Sequence, residues 1–188
     1  LQPPPPPPAP LPPAVAEPRL ATVAAVIVGA GGGGAGSGGV AVVYWSEDAA
    51  GGPASLVEVT WGSRRATVPR DGSVGSANFS GFDVAVDGHE VSVVPSNEFA
   101  AGEATVVTAA QADVLVDADL AAQPALVAAT LQAGVDGANA SETAPATVAV
   151  APGVYTGDGN CGAHWAYVAV SSLLGSAHTA VDCEGRSG

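Results

Sequence analysis

Methionine and lysine are both missing from this 188-residue chain, and aromatic residues make up only 5% of it. Without lysine no ammonium can reach a phosphate in the manner of a P-loop. Positive charge rests on arginine alone: Lys and Arg together number 5 against 18 Asp and Glu, for a formal net charge of -13. A surface of that sign repels phosphate backbones and anionic lipid, which argues against nucleic acid and membrane surfaces as partners. Charged residues amount to 12%, against about 25% in ordinary soluble domains. Much of the surface is therefore expected to be small and polar, covered by sugar, or buried against other copies. No apolar run approaches the roughly 18–20 residues that span a bilayer, and the segment from Leu20 to Val28 is too short. A basic start and a cleavage site, the marks of a secretory signal, are not visible, so an extracellular chain would be numbered after its removal.

Cysteine is scarce as well. The two that exist, Cys161 and Cys183, both lie near the C-terminal end. Such a pair favours one disulfide, whose loop closure is worth roughly 3 kcal/mol in the chain-entropy model. Two buried free thiols are the alternative. Zinc, with His164 and His178 as further ligands, fits no common spacing.

Proline and glycine are what the chain has in quantity. Residues 1–18, "LQPPPPPPAPLPPAVAEP", cannot join a helix or a central strand, because proline fixes φ and lacks the amide donor. Polyproline II is their default, at about 3.1 Å per residue, giving an arm on the order of 30–50 Å. A stiff spacer, a ligand for aromatic grooves, a glycosylated stalk and a free tail are its possible roles.

The next stretch, "RLATVAAVIVGAGGGGAGSGG", poses a choice between a nucleotide-binding turn and a strand ending in a hinge. From Leu20 to Val28 both parities are apolar, and Val and Ile favour strand. A strand apolar on both faces is expected to be buried on both. The run from Gly29 to Gly34 satisfies G-x-G-x-x-G, but the glycines continue into "VAVVYW", a second strand. No crossover helix fits between Gly29 and Val40, since a parallel crossover needs about a dozen residues or more. The acidic pair Glu47 and Asp48 then falls at the ribose-binding distance by coincidence, and the glycine run reads as a flexible linker.

Beyond Val40 the chain reads as short strands with turn punctuation. "LVEVTWGSRRATVP" alternates and turns at Gly62-Ser63, and "FDVAVDGHEVSVVP" reads as a hairpin about Asp87-Gly88. Further strands are expected at 104–109, 112–116, 147–151, 165–170 and 179–183. One helix is expected over 124–133, with proline at its start and Gly134 just past its end. The fold class that follows is all-β in the main: an antiparallel immunoglobulin-like β-sandwich with an extended proline-rich arm and at most one short helix. Its parts are a polyproline II arm over 1–18, a donor-type strand and hinge over 19–39, and a sandwich domain over 40–188.

Few residues suggest chemistry. His89 follows a turn and His164 borders the cysteine loop, so solvated or structural positions are expected for both. Ser171, Ser172 and Ser176 lack a G-x-S-x-G elbow, and no enzyme activity is expected. Asp113, Asp117 and Asp119, and separately Asp158 and Asn160, supply oxygens of the kind calcium takes, without the EF-hand spacing. No metal or cofactor is expected. Arg64, Arg65 and Arg70 would either meet an acidic patch on another copy or sit solvated at a hairpin tip. Asn78-Phe79-Ser80 and Asn139-Ala140-Ser141 are N-glycosylation sequons, and with the cysteine pair they favour an extracellular or cell-surface setting.

An apolar N-terminal strand ahead of a glycine hinge resembles the subunits of extracellular pili and fibrils that assemble by N-terminal strand donation. The proline run is similar to that of hydroxyproline-rich wall glycoproteins, which implies sugars on Pro3, Pro4, Pro5, Pro6, Pro7 and Pro8. No sortase signal or pilin-type N-terminal helix is present. The resemblance implies a filament subunit polymerising head-to-tail with other copies of itself, with Val23, Val26, Ile27 and Val28 as the assembly strand. The alternative is a secreted carbohydrate-binding or adhesin module presenting Trp45, Trp61 or Trp165.

Overall fold

The computed structural model describes residues 16–29, 39–70, 72–120 and 126–183. The proline tract with its candidate glycosylation positions Pro3 to Pro8, and most of the glycine linker, lie outside the described residues. In chain order the first half holds β1 (Leu20–Val28), β2 (Gly39–Glu47), β3 (Leu56–Trp61), β4 (Arg64–Pro69), β5 (Val74–Phe82), α1 (Val84–Asp87), β6 (Glu90–Ser96), β7 (Thr105–Thr108) and β8 (Ala110–Ala112). The second half holds β9 (Val114–Val116), β10 (Val127–Ala128), α2 (Leu131–Ala138), β11 (Ala146–Val150), β12 (Gly153–Thr156), β13 (Val168–Ser172) and β14 (Thr179–Asp182).

These elements stack in layers. The outermost is an antiparallel sheet of order β4-β3-β6-β7. Against it lies the sheet β5-β2-β1-β8, antiparallel except that β8 runs parallel to β1. The third layer, β10-β9-β11-β13, is wholly parallel. Beyond it stand α2 and the parallel pair β12-β14.

Side-chain parity joins the layers. Along β1 and β2, Ile27, Val43 and Trp45 face the first sheet and pack on Val57, Val59, Trp61, Val91 and Val93. Trp61 meets Phe82 edge-on at 4.7 Å and Phe79 at 6.2 Å between ring centroids. The opposite parity, Val26, Val28, Val40, Val42 and Tyr44, packs on Leu115, Val127, Ala149 and Leu174 of the parallel half. A third core lies beyond, where Val114, Val116, Val148 and Val150 meet Leu131 and Tyr155. The double-faced apolarity of β1 thus has a plain cause: the strand belongs to a wall shared by two cores. Each fully buried Val or Ile contributes about 1.5–3 kcal/mol there.

The chain is mainly β, as its sequence pattern implies, but the antiparallel sandwich expected over 40–188 describes only the first half. From β9 onward the chain coils. β11 runs parallel to β9 with Val148 beside Val114, β13 runs parallel to β11 with Val168 beside Ala146, and β14 runs parallel to β12 with Thr179 beside Gly153. Each circuit contains a second strand or a helix, which supplies the long return that parallel pairing requires. Stacked repeats of this kind make a short parallel solenoid.

Two local expectations are corrected. The hairpin about Asp87-Gly88 does not form: Asp83 caps a single helical turn, α1, accepting from Ala85 N at 2.9 Å. β5 and β6 then enter different sheets, so the segment carries the chain between layers. The helix expected over 124–133 lies instead at Leu131–Ala138, capped by Thr130, with Gly134 inside it. Two helices are present among the described residues where at most one was expected. The strand expected from Trp165 begins at Val168.

Candidate functional site

The N-terminal strand is the first candidate, and its placement is unambiguous. β1 pairs antiparallel with β2 of the same chain, from Leu20 opposite Glu47 to Val28 opposite Val40. Val26, Ile27 and Val28 are completely buried and Val23 is half-buried. The antiparallel neighbour also disposes of the dinucleotide geometry, in which the strand after the glycine turn follows a helix and runs parallel. Glu47 is paired with Arg70 at 3.1 Å, and Asp48 Oδ1 accepts from Ala50 N at 2.9 Å.

Between the shared wall and the parallel half opens a cleft of about 330 Å³ lined by Tyr44, Ser76, Asp117, Asp119 and Pro152. Tyr44 Oη donates to Asp117 Oδ2 across the second core. Asp117 is buried, and its Oδ1 accepts from Asp119 N at 2.9 Å and Leu120 N at 3.2 Å. Burial first, then the hydrogen bond and charge of Asp117, pushes the Tyr44 phenol far above its ordinary value. Burial, then Asp117 and Asp119, does the same to Tyr155, whose hydroxyl lies 3.0 Å from Ala151 O and 3.1 Å from Val116 O. A phenol held protonated is a hydrogen-bond donor and not a base. The Tyr44–Asp117 pair therefore ties β2 to the turn after β9. Sequence reasoning grouped Asp117 with possible calcium ligands and passed over Tyr44, although a lone hydroxyl inside "VAVVYW" is the signal that a buried partner must exist.

The remaining candidates are dispersed. Asp113 Oδ2 accepts from Thr147 N at 2.7 Å, and buried Asn160 accepts from Leu131 N at 2.9 Å while donating to Thr156 O at 2.9 Å. These oxygens serve strand and helix ends. The arginines meet carboxylates of their own chain, with Arg65 largely exposed to solvent. Arg64 bonds Asp87 at 2.8 Å and caps Ser80 O and Gly81 O, Arg65 pairs with Glu58, and Arg70 with Glu47. Ser172 Oγ donates to Thr179 Oγ1 at 2.7 Å, and Ser171 and Ser176 are exposed.

Cys161 and Cys183 are joined in a disulfide with Cα atoms 5.5 Å apart, tying the turn after β12 to the end of β14. His89 and His164 are exposed, and His178 is half-buried. Both sequon asparagines are exposed, Asn78 on β5 and Asn139 as the left-handed C-cap of α2. Trp45 and Trp61 are buried at 3% and 0% exposure and cannot offer a ring to a ligand, whereas Trp165 is 52% and Tyr167 54% exposed. No helix among the described residues is long and apolar enough to cross a membrane. No protein-family model matches the chain, and no curated protein matches it.

Proposed function

We propose that the chain is a structural subunit of an extracellular filament, joining copies head-to-tail through its N-terminal segment. One observation carries this reading. β1 fills the interior of two cores, yet the residues that link it to β2, from Gly29 to Gly38, are only glycine, alanine and one serine. A β1 from a neighbouring copy would meet the same partners in the same register, so exchange forfeits no contact. Repeated head-to-tail, such an exchange builds an open chain. The disulfide and the exposed sequons at Asn78 and Asn139 fit an oxidising, extracellular setting.

Deleting residues 1–28 would remove a central strand and is no test. The informative experiment is electron microscopy of the full chain at rising concentration, with labelled and unlabelled copies mixed. Filaments in which isotope-filtered contacts join Val26 of one copy to Val42 of another are expected. Folded monomers at every concentration would end the proposal.

A second reading, a carbohydrate-binding module, is favoured by the two exposed aromatics Trp165 and Tyr167, which follow His164 in the chain, whose N donates to Gln132 Oε1 at 3.0 Å. Stacking on sugar would quench Trp165 emission in the wild type and not in Trp165→Ala. Emission unmoved by a panel of oligosaccharides would dismiss it.

A further inference from the structure

The sheet shared by the two halves has one long open side. β5, a strand of nine residues, pairs with β2 and with no other strand among the described residues. Glu47 N donates to Ser73 O at 2.9 Å just ahead of β5, which fixes the alternation of the ladder. Val74, Ser76 and Asn78 therefore oppose Ser46, Tyr44 and Val42 as non-hydrogen-bonded pairs, and their N–H and C=O groups point away from β2. Such an edge is a template for a further strand, and proteins blunt it with charge, proline, bulges or brevity.

The other open edges show those devices. β4 carries Arg64, Arg65 and Pro69, and β7, β8, β10, β12, β13 and β14 have five residues or fewer. The far end of β5 is managed as well. Its register shifts between Gly39 and Ala41, and Arg64 covers Ser80 O at 2.9 Å and Gly81 O at 2.6 Å. From Val74 to Asn78 none of these devices applies, since "VGSAN" is uncharged and without proline. What this stretch does have, at its centre of exposure, is the sequon Asn78-Phe79-Ser80. Strand alternation sets Asn78 and Ser80 on one face, both exposed, while Phe79 is buried in the first core.

We infer that an N-linked glycan on Asn78 is the cap of this edge and keeps further strands off the central sheet. A strand added to β5 would lie about 4.7–4.9 Å away, with the Cβ opposite Asn78 at about 4.5–5.5 Å. A bulky sugar on Asn78 Nδ2 fills that lane. In its attachment Nδ2 loses a proton and bonds the anomeric carbon of an oligosaccharide, while the bond from that carbon to a lipid diphosphate breaks and the diphosphate leaves. The cap requires passage through a glycosylating compartment, a setting that the disulfide fits. It does not require the filament, because exchange of β1 leaves the outer side of β5 as it is. Asn139 provides the contrast: its sequon is exposed too, but it caps α2 and belongs to no strand.

The test secretes the full chain from a glycosylating eukaryotic cell as wild type, Asn78→Gln, Ser80→Ala and Asn139→Gln. Mass spectrometry of peptides, after enzymatic release of glycans in heavy-oxygen water, reads occupancy. Hydrogen exchange at rising protein concentration reads the outward amides of Val74 and Ser76. In the wild type Asn78 is expected to be occupied and those amides to exchange at a rate independent of concentration. In Asn78→Gln and Ser80→Ala, both exposed substitutions that keep the core, the same amides should slow by about tenfold or more as concentration rises and copies pair edge to edge. Asn139→Gln should behave as the wild type. An unoccupied Asn78 overturns the inference, as does unchanged exchange in both unglycosylated variants at every concentration. Equal slowing in Asn139→Gln would make the sugar a general solubiliser and overturn the cap as well. Filaments built by exchange of β1 leave this readout unmoved, so the two proposals fail separately.

Discussion

Tyr44 is the one hydroxyl in the run Val40–Trp45, and its bond to Asp117 makes alkaline pH the condition that should loosen this molecule. Tyr44 and Tyr155 are held protonated in the fold above their ordinary value near 10. Up to about pH 10 both states keep these protons and stability does not respond to them. Above it the unfolded chain releases protons that the folded chain retains, so stability falls, by about 1.4 kcal/mol per pH unit for each tyrosine. Denaturant titrations between neutral pH and pH 11 should show that decline, and Tyr44→Phe should roughly halve its slope. The same substitution should cost about 1–3 kcal/mol at neutral pH by taking a donor from buried Asp117. A flat profile would refute the assignment. Arg64 makes a complementary case. It bonds Asp87, which is 6% exposed, together with Ser80 O and Gly81 O, and lies 5.5 Å over Phe82. Arg64→Lys keeps the charge but not the fork, and is expected to cost about 2 kcal/mol in thermal unfolding, with Arg64→Ala little worse.

At the scale of elements, α2 provides a prediction whose sign is opposite to that of helix propensity. Gly134 to Ala in a free helix would stabilise by about 1 kcal/mol. Here a Cβ would stand 2.4 Å from Val116 Cγ2, because the helix lies against β9 at that point. Gly134→Ala should therefore destabilise by about 1–3 kcal/mol, read from the midpoint of chemical denaturation, while Gly137→Ala, with Val114 at a comfortable 3.8 Å, should not. What was legible in the sequence follows the same division between local and distant causes. β1 was readable to the residue, because apolar parity is local, but the burial expected on both faces holds only from Ala25 to Val28, while Ala21 and Thr22 are exposed. The β3–β4 hairpin was readable from its alternation and glycine turn. The turn at Asp83–Asp87 was misread because Asp-Gly ahead of alternating valines looks like a hairpin, and only the capping oxygen of Asp83 decides otherwise. The helix was placed too early because Gly134, taken as a terminus, is a close-packing residue. Parallel stacking of β9, β11 and β13 leaves no local mark, since its partners meet across a whole circuit of chain. The disulfide pair was legible from scarcity alone, whereas the Tyr44–Asp117 tie joins residues 73 positions apart that no spacing rule connects.

The whole molecule has one wall in common between its halves. β1 and β2 give one parity to the antiparallel sandwich and the other to the parallel coil, so neither half keeps its core if that sheet opens. Ile27→Ala and Val26→Ala lie on opposite faces, yet both should lower the same single transition, by about 2–4 kcal/mol for Ile27 and less for the smaller Val26. The disulfide acts elsewhere. It spans 22 residues and ties only the last circuit, where β14 pairs with β12 and Val181 is 49% exposed. Cys161→Ser with Cys183→Ser should therefore raise amide exchange in β12, β13 and β14 well before it lowers the main transition, although loop closure is worth about 3 kcal/mol in the chain-entropy model. Hydrogen exchange resolved by strand separates the possibilities. Loss of protection confined to the last circuit means that the disulfide staples an end of the coil onto a wall that already stands. Loss spreading equally to β3 and β6 would mean that the two cores depend on that end as well, and the shared sheet would no longer account for the cooperativity of the fold.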